Sequence, residues 1–254
     1  MAAARATRAA SAAPPHQARE GVLTTGVFTG IHRPFASPAL ATWPIQEKSY
    51  DPSVAIISRG FKGRRQSEAP ANRVPPGQYV TNDFPVLSAG PTPRVSLEDW
   101  RLTLVTEAGD VRSWTWAEFR ALPSEEFTVD IHCVTKWSKL DTRWEGVAID
   151  SVLGGAGRGA GFLLAESYGG YTTNLPLADV VDGKAWVAFG YDGAPLAPEH
   201  GGPARLLVPH LYFWKSAKWI RRLELSPEDR IGFWEGYGYH NYGDPWREQR
   251  YAGD

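Results

Sequence analysis

A single cysteine, Cys133, stands in a chain of 254 residues. No intramolecular disulfide can form, so the fold has to hold without covalent cross-links, which fits a reducing compartment. Long apolar runs are missing as well. The richest stretch, ARLLVPHLYFW at 204–214, is well short of the ~20 residues a membrane-crossing helix needs and is broken by Pro209 and His210, so no membrane span is expected. There is no excess of basic charge: 27 Lys and Arg stand against 28 Asp and Glu. That excludes the electrostatic footprint of a nucleic-acid binder. The chain has no GxSxG elbow, Walker loop, HExxH or CxxC. The N-terminal MAAARATRAASAAPP carries Arg5 and Arg8 but no unbroken apolar segment, and resembles an organellar transit peptide in composition alone. Arg64 and Arg65 form a twin-arginine pair followed by polar residues, so an export reading fails and the expected location is cytoplasmic.

What the chain does have is glycine (26), proline (20) and tryptophan (11), a balance that favours strands, turns and irregular structure over long helices. The Ala, Pro and Arg-rich residues 1–50 read as a disordered or extended arm, and 51–254 as one domain without internal repeats. The fold class expected is α+β, mixed, with more strand than helix. Trp100, Leu102 and Leu104 alternate as in a half-buried strand. TWAEFRAL reads as a short helix with Thr115 as cap and Glu118 three residues on. Phe127, Val129, Ile131 and Cys133 alternate with Thr128, Asp130 and His132, which predicts another strand. Ile149–Leu153 reads as a helix stopped by glycine, GFLLAES, KAWVAFGYDG and ARLLVPHL as strands, and KWIRRLELSPED as a strand then a turn. Asp192-Gly193 is a hairpin signal.

Cys133 has two readings. Free cysteine is among the most buried residue types, and its phase on the strand supports plain packing. Against that, the alternation stops at Cys133, and ligands commonly bind at strand ends. His132 and Lys136 flank it, and positive neighbours favour a thiolate, a soft metal ligand. GGAGRGAG at 154–161 has dinucleotide-fingerprint spacing at Gly155, Gly157 and Ala160, but in the order helix, glycines, strand, and so reads as a loop. From Glu199 onward, basic residues interleave with apolar ones. Arg205 and Lys218 there suggest an anion held in a partly buried place, with backbone N–H groups of WKSAK able to reach a phosphate. The aromatic GFWEGYGYHNYGDPWREQRY reads as a packed edge or lid, with His240 structural.

Five pieces in order, YVTNDFPVL, CVTKWS, HGGPARLLVP, WKSAKWI and GYHNYGDPW, resemble the sulfite oxidase superfamily of molybdopterin enzymes. The resemblance is nearest to its haem-free bacterial branch, which includes the molybdopterin protein-methionine-sulfoxide reductase catalytic subunit, and covers roughly Pro75 to Trp246. It implies a sulfite-oxidase-type molybdopterin-binding fold and a molybdenum–molybdopterin cofactor (Mo-MPT) ligated by the Cys133 thiolate. It places Asn82, Asp83, Pro85 and Val86 against the pterin, Ser167 at a hydroxyl contact, His200 and Arg205 as a cofactor-binding pair, and Ser216, Ala217 and Lys218 at the phosphate end. Lys136, Trp137, Tyr239 and His240 are candidates for the pocket lining. The reaction implied is two-electron oxygen-atom transfer on a small sulfoxide, N-oxide or sulfite-like compound, with an electron-transfer partner that the residues do not identify. Asp83 falls where a basic residue is expected, and an acid there would repel sulfite. The alternatives are a molybdopterin-binding domain without turnover and a cofactor-free protein in which Cys133 is merely packed.

Overall fold

The computed structural model describes residues 72–254. The expected N-terminal arm and the Arg64-Arg65 pair lie outside the described residues. Among the described residues, eleven strands form two sheets, accompanied by three short α-helices. The first sheet is built on β5 (Trp137–Ala148), which pairs with β4 (Glu125–His132) along one edge. Its other edge is shared: β1 (Tyr79–Val80) pairs in parallel at Trp137 and Ser138, and β8 (Trp186–Tyr191) antiparallel at Trp144–Ala148. β9 (Ala194–Pro195) and β10 (Arg205–Leu207) complete it against β8. The second sheet runs β3 (Val111–Thr115), β2 (Arg101–Val105), β11 (Ile220–Ser226), β6 (Phe162–Ser167), β7 (Thr172–Pro176).

Local chemistry accounts for several of these elements. Trp100, Leu102 and Leu104 are fully buried, as their period-2 spacing predicts. In α1 (Trp116–Arg120), Thr115 Oγ1 accepts from the Glu118 N–H while Glu118 accepts from the Thr115 N–H, a reciprocal cap. α2 (Ile149–Leu153) ends on Gly154 at φ 55°, the left-handed position glycine occupies without steric cost. The chain then passes through the glycine loop into β6, so the strand–glycine–helix order of a dinucleotide site is absent there. Asp192 and Gly193, with φ of 51° and 78°, join β8 to β9 by the expected two-residue turn.

The main core lies between the sheets. Leu102, Leu163, Leu175 and Leu223 meet Val147, Val187 and Leu206 there. A second apolar cluster lies on the other face of the first sheet, with Ile131, Cys133, Trp137, Trp144, Ala188 and Leu207. Alternation sends Val187 and Leu206 to one cluster and Ala188 and Leu207 to the other, so this sheet is buried on both faces. The last helix, α3 (Phe233–Gly236), closes over β7.

Candidate active site

β4 ends at His132, and the chain reverses through a turn whose first residue is Cys133. The Lys136 N–H donates to the Cys133 carbonyl at 2.9 Å, and the Cys133 N–H to the Trp137 carbonyl at 2.8 Å. Lys136 takes φ 75°, a left-handed value that lets the turn close in so few residues. β1 clamps the outside: the Tyr79 N–H donates to Lys136 O at 2.9 Å, and Gln78 Nε2 to Cys133 O at 3.2 Å. The cysteine backbone is therefore held at both its N–H and its carbonyl. Its sulfur is buried, accepts a hydrogen bond from Thr135 Oγ1 at 3.2 Å, and faces the backbone N–H groups of Thr135 and Val134. Burial pushes the thiol pKa up, and these donors together with Lys218 oppose that rise. The thiol is thus protonated at neutral pH until something positive binds it.

The expectation that His132 and Lys136 supply positive charge beside the sulfur is corrected here. His132 is buried, with Nδ1 2.8 Å from Ser138 Oγ, and burial pulls its pKa to about 4, so the ring is neutral. Lys136 is exposed on the outside of the turn. The cation that acts on the sulfur is Lys218, some eighty-five positions on in sequence.

Cys133 opens onto a cavity of about 390 Å³, within the usual range for a small-molecule or cofactor site. Its walls come from the segment 84–93, the cysteine turn, the β6–β7 connection, Arg205, the 213–219 segment and α3 with Tyr239. Arg205 is 1% exposed and donates only to carbonyls: His200 O at 2.8 Å, Ser216 O at 2.7 Å and Leu206 O at 3.3 Å. Burial lowers its pKa to about 9, so it stays charged at neutral pH. Lys218 donates to Leu87 O at 2.8 Å and Glu199 O at 2.7 Å. Burial and the Arg205 charge draw it down to about 7. Neither cation pairs with a carboxylate among the described residues. A buried cation without a counter-ion is costly, and an anionic ligand removes that cost.

The opposite wall is aromatic and is pinned by a buried ion pair. Lys215 Nζ lies 2.6 Å from Glu235 Oε1, both side chains fully buried. The ammonium also donates to Asn174 O at 2.8 Å and Asn241 O at 2.6 Å. Glu235 Oε1 accepts from Trp214 Nε1 and Thr173 Oγ1, each at 3.1 Å. The pair therefore fixes Trp214 and, through α3, Phe233 and Trp234 on the cavity wall. Gly232 permits the close approach of α3, since a Cβ there would sit 2.6 Å from Thr173 Cα. Tyr239, whose ring lies 5.2 Å from Trp214 and 5.0 Å from Trp234, has its pKa raised to about 12, first by burial and then by Tyr251 and Cys133.

The structure brings Pro85, Cys133, Ser167, Arg205, Ser216 and Lys218 together around this one cavity. The Ser167 hydroxyl donates to Lys218 O, and Ser216 Oγ accepts from the Val208 N–H at 2.9 Å. Asn82 and Asp83 are exposed and off the wall: Lys139 engages the Asn82 carbonyl, and the Asp83 N–H donates to Thr81 Oγ1. Val86 is exposed, and Ala217 is packed in the main core. His200 reaches the cavity indirectly, its ring stacked on Phe84 at 3.9 Å and 9°. Trp137 and Tyr239 line the cavity. Lys136 and His240 do not; His240 Nδ1 instead accepts the N–H groups of Tyr242 and Gly243. Other basic residues of the 199–222 segment pair with surface carboxylates, His210 with Asp179, Arg221 with Glu166 and Arg222 with Glu224. Sequence reasoning did not assign Gln78 or Trp214 to the site, whereas the stretch after Gly232, read as a packed edge or lid, does line the cavity through Phe233, Trp234 and Tyr239. The run of aromatics after Gly232 was the one available signal for that wall.

A single buried thiol, the buried Arg205 and half-buried Lys218 without carboxylate partners among the described residues, and an aromatic cover make a cavity suited to an anionic ligand. Residues 89–234 match the family described as the oxidoreductase molybdopterin binding domain, and the chain belongs to that family of oxidoreductases. It is 43% identical over 197 residues to an uncharacterized oxidoreductase, YuiH, of Bacillus subtilis, across 76% of this chain and 99% of that protein. It is 27% identical over 173 residues to a putative protein-methionine-sulfoxide reductase subunit, YedZ1, of Azospira oryzae, across 66% of each. Human mitochondrial sulfite oxidase is 25% identical over 214 residues, 69% of this chain but 39% of that protein. The cavity fits a molybdopterin-type group on its own terms. No group of three or more His, Cys, Asp or Glu side chains forms a metal site among the described residues. A metal ligated by Cys133 would therefore need further ligands from a bound group. Trp137 Nε1 and His200 Nδ1 are buried without a partner at or beside the cavity, as polar atoms awaiting a ligand would be.

Proposed function

We propose that this chain holds Mo-MPT and catalyses two-electron oxygen-atom transfer on a small oxo-compound. The observation that carries the reading is one cavity bearing the Cys133 sulfur together with two cations that have no carboxylate partner among the described residues, the buried Arg205 and the half-buried Lys218. When bound, the cofactor supplies a metal that changes oxidation state by two electrons and exchanges an oxygen atom. The protein supplies the rest. Cys133 gives a thiolate ligand, its proton displaced on binding. Arg205 and Lys218 hold the cofactor's phosphate end by charge-assisted hydrogen bonds, and Trp137 and Ser167 border the pterin. The aromatic wall of Trp214, Phe233 and Trp234 excludes water. Tyr239, on the cavity wall with its pKa raised to about 12, would be present as a protonated phenol able to donate a hydrogen bond there.

Sulfoxides, N-oxides and sulfite-like anions are the candidate substrates, in that order. The apolar lining of the cavity, with Val134 next to Cys133 in the chain and Trp234 on the aromatic side, favours a neutral organic oxo-compound over a dianion. The names of the Azospira and human relatives point to the same chemistry. Asp83 is no argument against sulfite, since it lies off the wall. No helix among the described residues is long and apolar enough to cross a membrane, and the lone cysteine fits a cytoplasmic setting. The test is electron exchange by cofactor-loaded protein. A reduced viologen should be oxidised on adding a sulfoxide or N-oxide, or ferricyanide reduced on adding sulfite. Loaded protein that does neither is a binding domain without turnover.

A further inference from the structure

We infer that Thr135 is the residue that sets the electron-donating strength of the Cys133 ligand, through the hydrogen bond from its hydroxyl to the sulfur. This rests on the cofactor reading above. The Cys133 backbone is already fixed by Gln78, Lys136 and Trp137, so Thr135 is not needed to shape the turn. Its Oγ1 instead donates to the Sγ at 3.2 Å, within range for a hydrogen bond to sulfur. It does so from the cavity wall, next to the two backbone N–H groups that face the same atom. A sulfur with three donors shares its lone pairs with them. What those donors take is lost to a bound metal, and hydrogen bonding at a cysteine sulfur is a recognised lever on a metal centre's reduction potential. Two of the donors belong to the backbone and cannot be altered by substitution. Thr135 is the one a side chain controls, and it lies on the residue two positions after the ligand, where turn geometry brings it to the sulfur whatever the substrate.

Thr135→Val keeps the β-branched shape and removes the donor, while Thr135→Ser keeps the donor and removes the methyl. The experiment uses cofactor-loaded full chain: redox titration of the metal's electron paramagnetic resonance signal in wild type, T135V and T135S. Molybdenum and pterin content and thermal melting are measured alongside. The expected result is a shift to more negative midpoint potential in T135V, return to the wild-type value in T135S, and equal cofactor content in all three. Equal potentials in the three at equal loading overturn the inference. So does a raised KM with unchanged potential in T135V, which makes the hydroxyl a substrate contact instead. If T135V loses its cofactor, the comparison of T135S with Thr135→Ala decides in the same way. Absence of molybdenum from the wild type contradicts the cofactor reading itself and is thus distinguishable from failure of this inference alone.

Discussion

Replacing Glu235 by leucine removes one partner of a fully buried ion pair and leaves the Lys215 ammonium uncompensated. The ammonium keeps the Asn174 and Asn241 carbonyls but loses the one carboxylate within 4 Å of it among the described residues. Breaking such a pair from one side costs about 3–5 kcal/mol. The Trp214 and Thr173 donors left unmatched each add to that, at about 1–3 kcal/mol for a fully buried group. Part of this overlaps, since burial already lowers the Lys215 pKa and the lysine can shed its proton in the variant. About 3–5 kcal/mol is therefore the expected loss. Urea unfolding of wild type, Glu235→Leu, Lys215→Met and the double variant measures it. The double variant should be more stable than the sum of the two singles predicts by at least about 1 kcal/mol, because residues in contact couple. Glu235→Leu within about 1 kcal/mol of wild type, or strict additivity in the cycle, refutes the view that this pair pins the aromatic wall.

Gly232→Ala forces a Cβ to within 2.6 Å of Thr173 Cα; it should displace α3 and lower both the melting temperature and cofactor retention, read by thermal melt and pterin fluorescence. Lys218 has a folded pKa near 7 against 10.5 when free. Its contribution to the stability of cofactor-free protein is full above 10.5 and lost as pH falls through about 7, so melting temperature should rise from pH 6 to 9. Sulfate stays doubly charged over that range and prefers the ammonium form. Its affinity for cofactor-free protein, by calorimetry, should fall by up to ~10-fold per pH unit above about 7, and this dependence should vanish in Lys218→Met. Thr115→Ala removes the reciprocal cap of α1 and should cost about 1 kcal/mol in unfolding free energy.

The elements that were legible in sequence are those specified by their own residues. β2 and β6 carry clean alternation, α1 its cap, α2 its glycine stop, and the β8–β9 hairpin its Asp-Gly. β5, the strand that organises the first sheet, was missed. Its buried positions include Ser138, Thr142 and Gly146, polar or side-chain-free residues that hide the period, while Asp141 takes φ 54° and breaks its phase. β3 and β7 were missed as well, since β3 is largely exposed and β7 buries Thr173 and Asn174. At the site, the sequence motifs pointed to Cys133, Arg205 and Lys218, and all three line one cavity. The electrostatics were not. Proximity in sequence suggested His132 and Lys136 as partners of the sulfur, but neighbours on a chain that turns sharply point to different faces. The pairing of Lys215 with Glu235 joins segments that no local pattern links.

The most direct test of the whole account is metal content. Full-length protein produced with molybdate available, wild type beside Cys133→Ser, should be analysed for molybdenum and pterin. The account predicts close to one molybdenum per wild-type chain, and its loss in Cys133→Ser with the fold intact by circular dichroism. Molybdenum absent from both, or held equally by both, contradicts it.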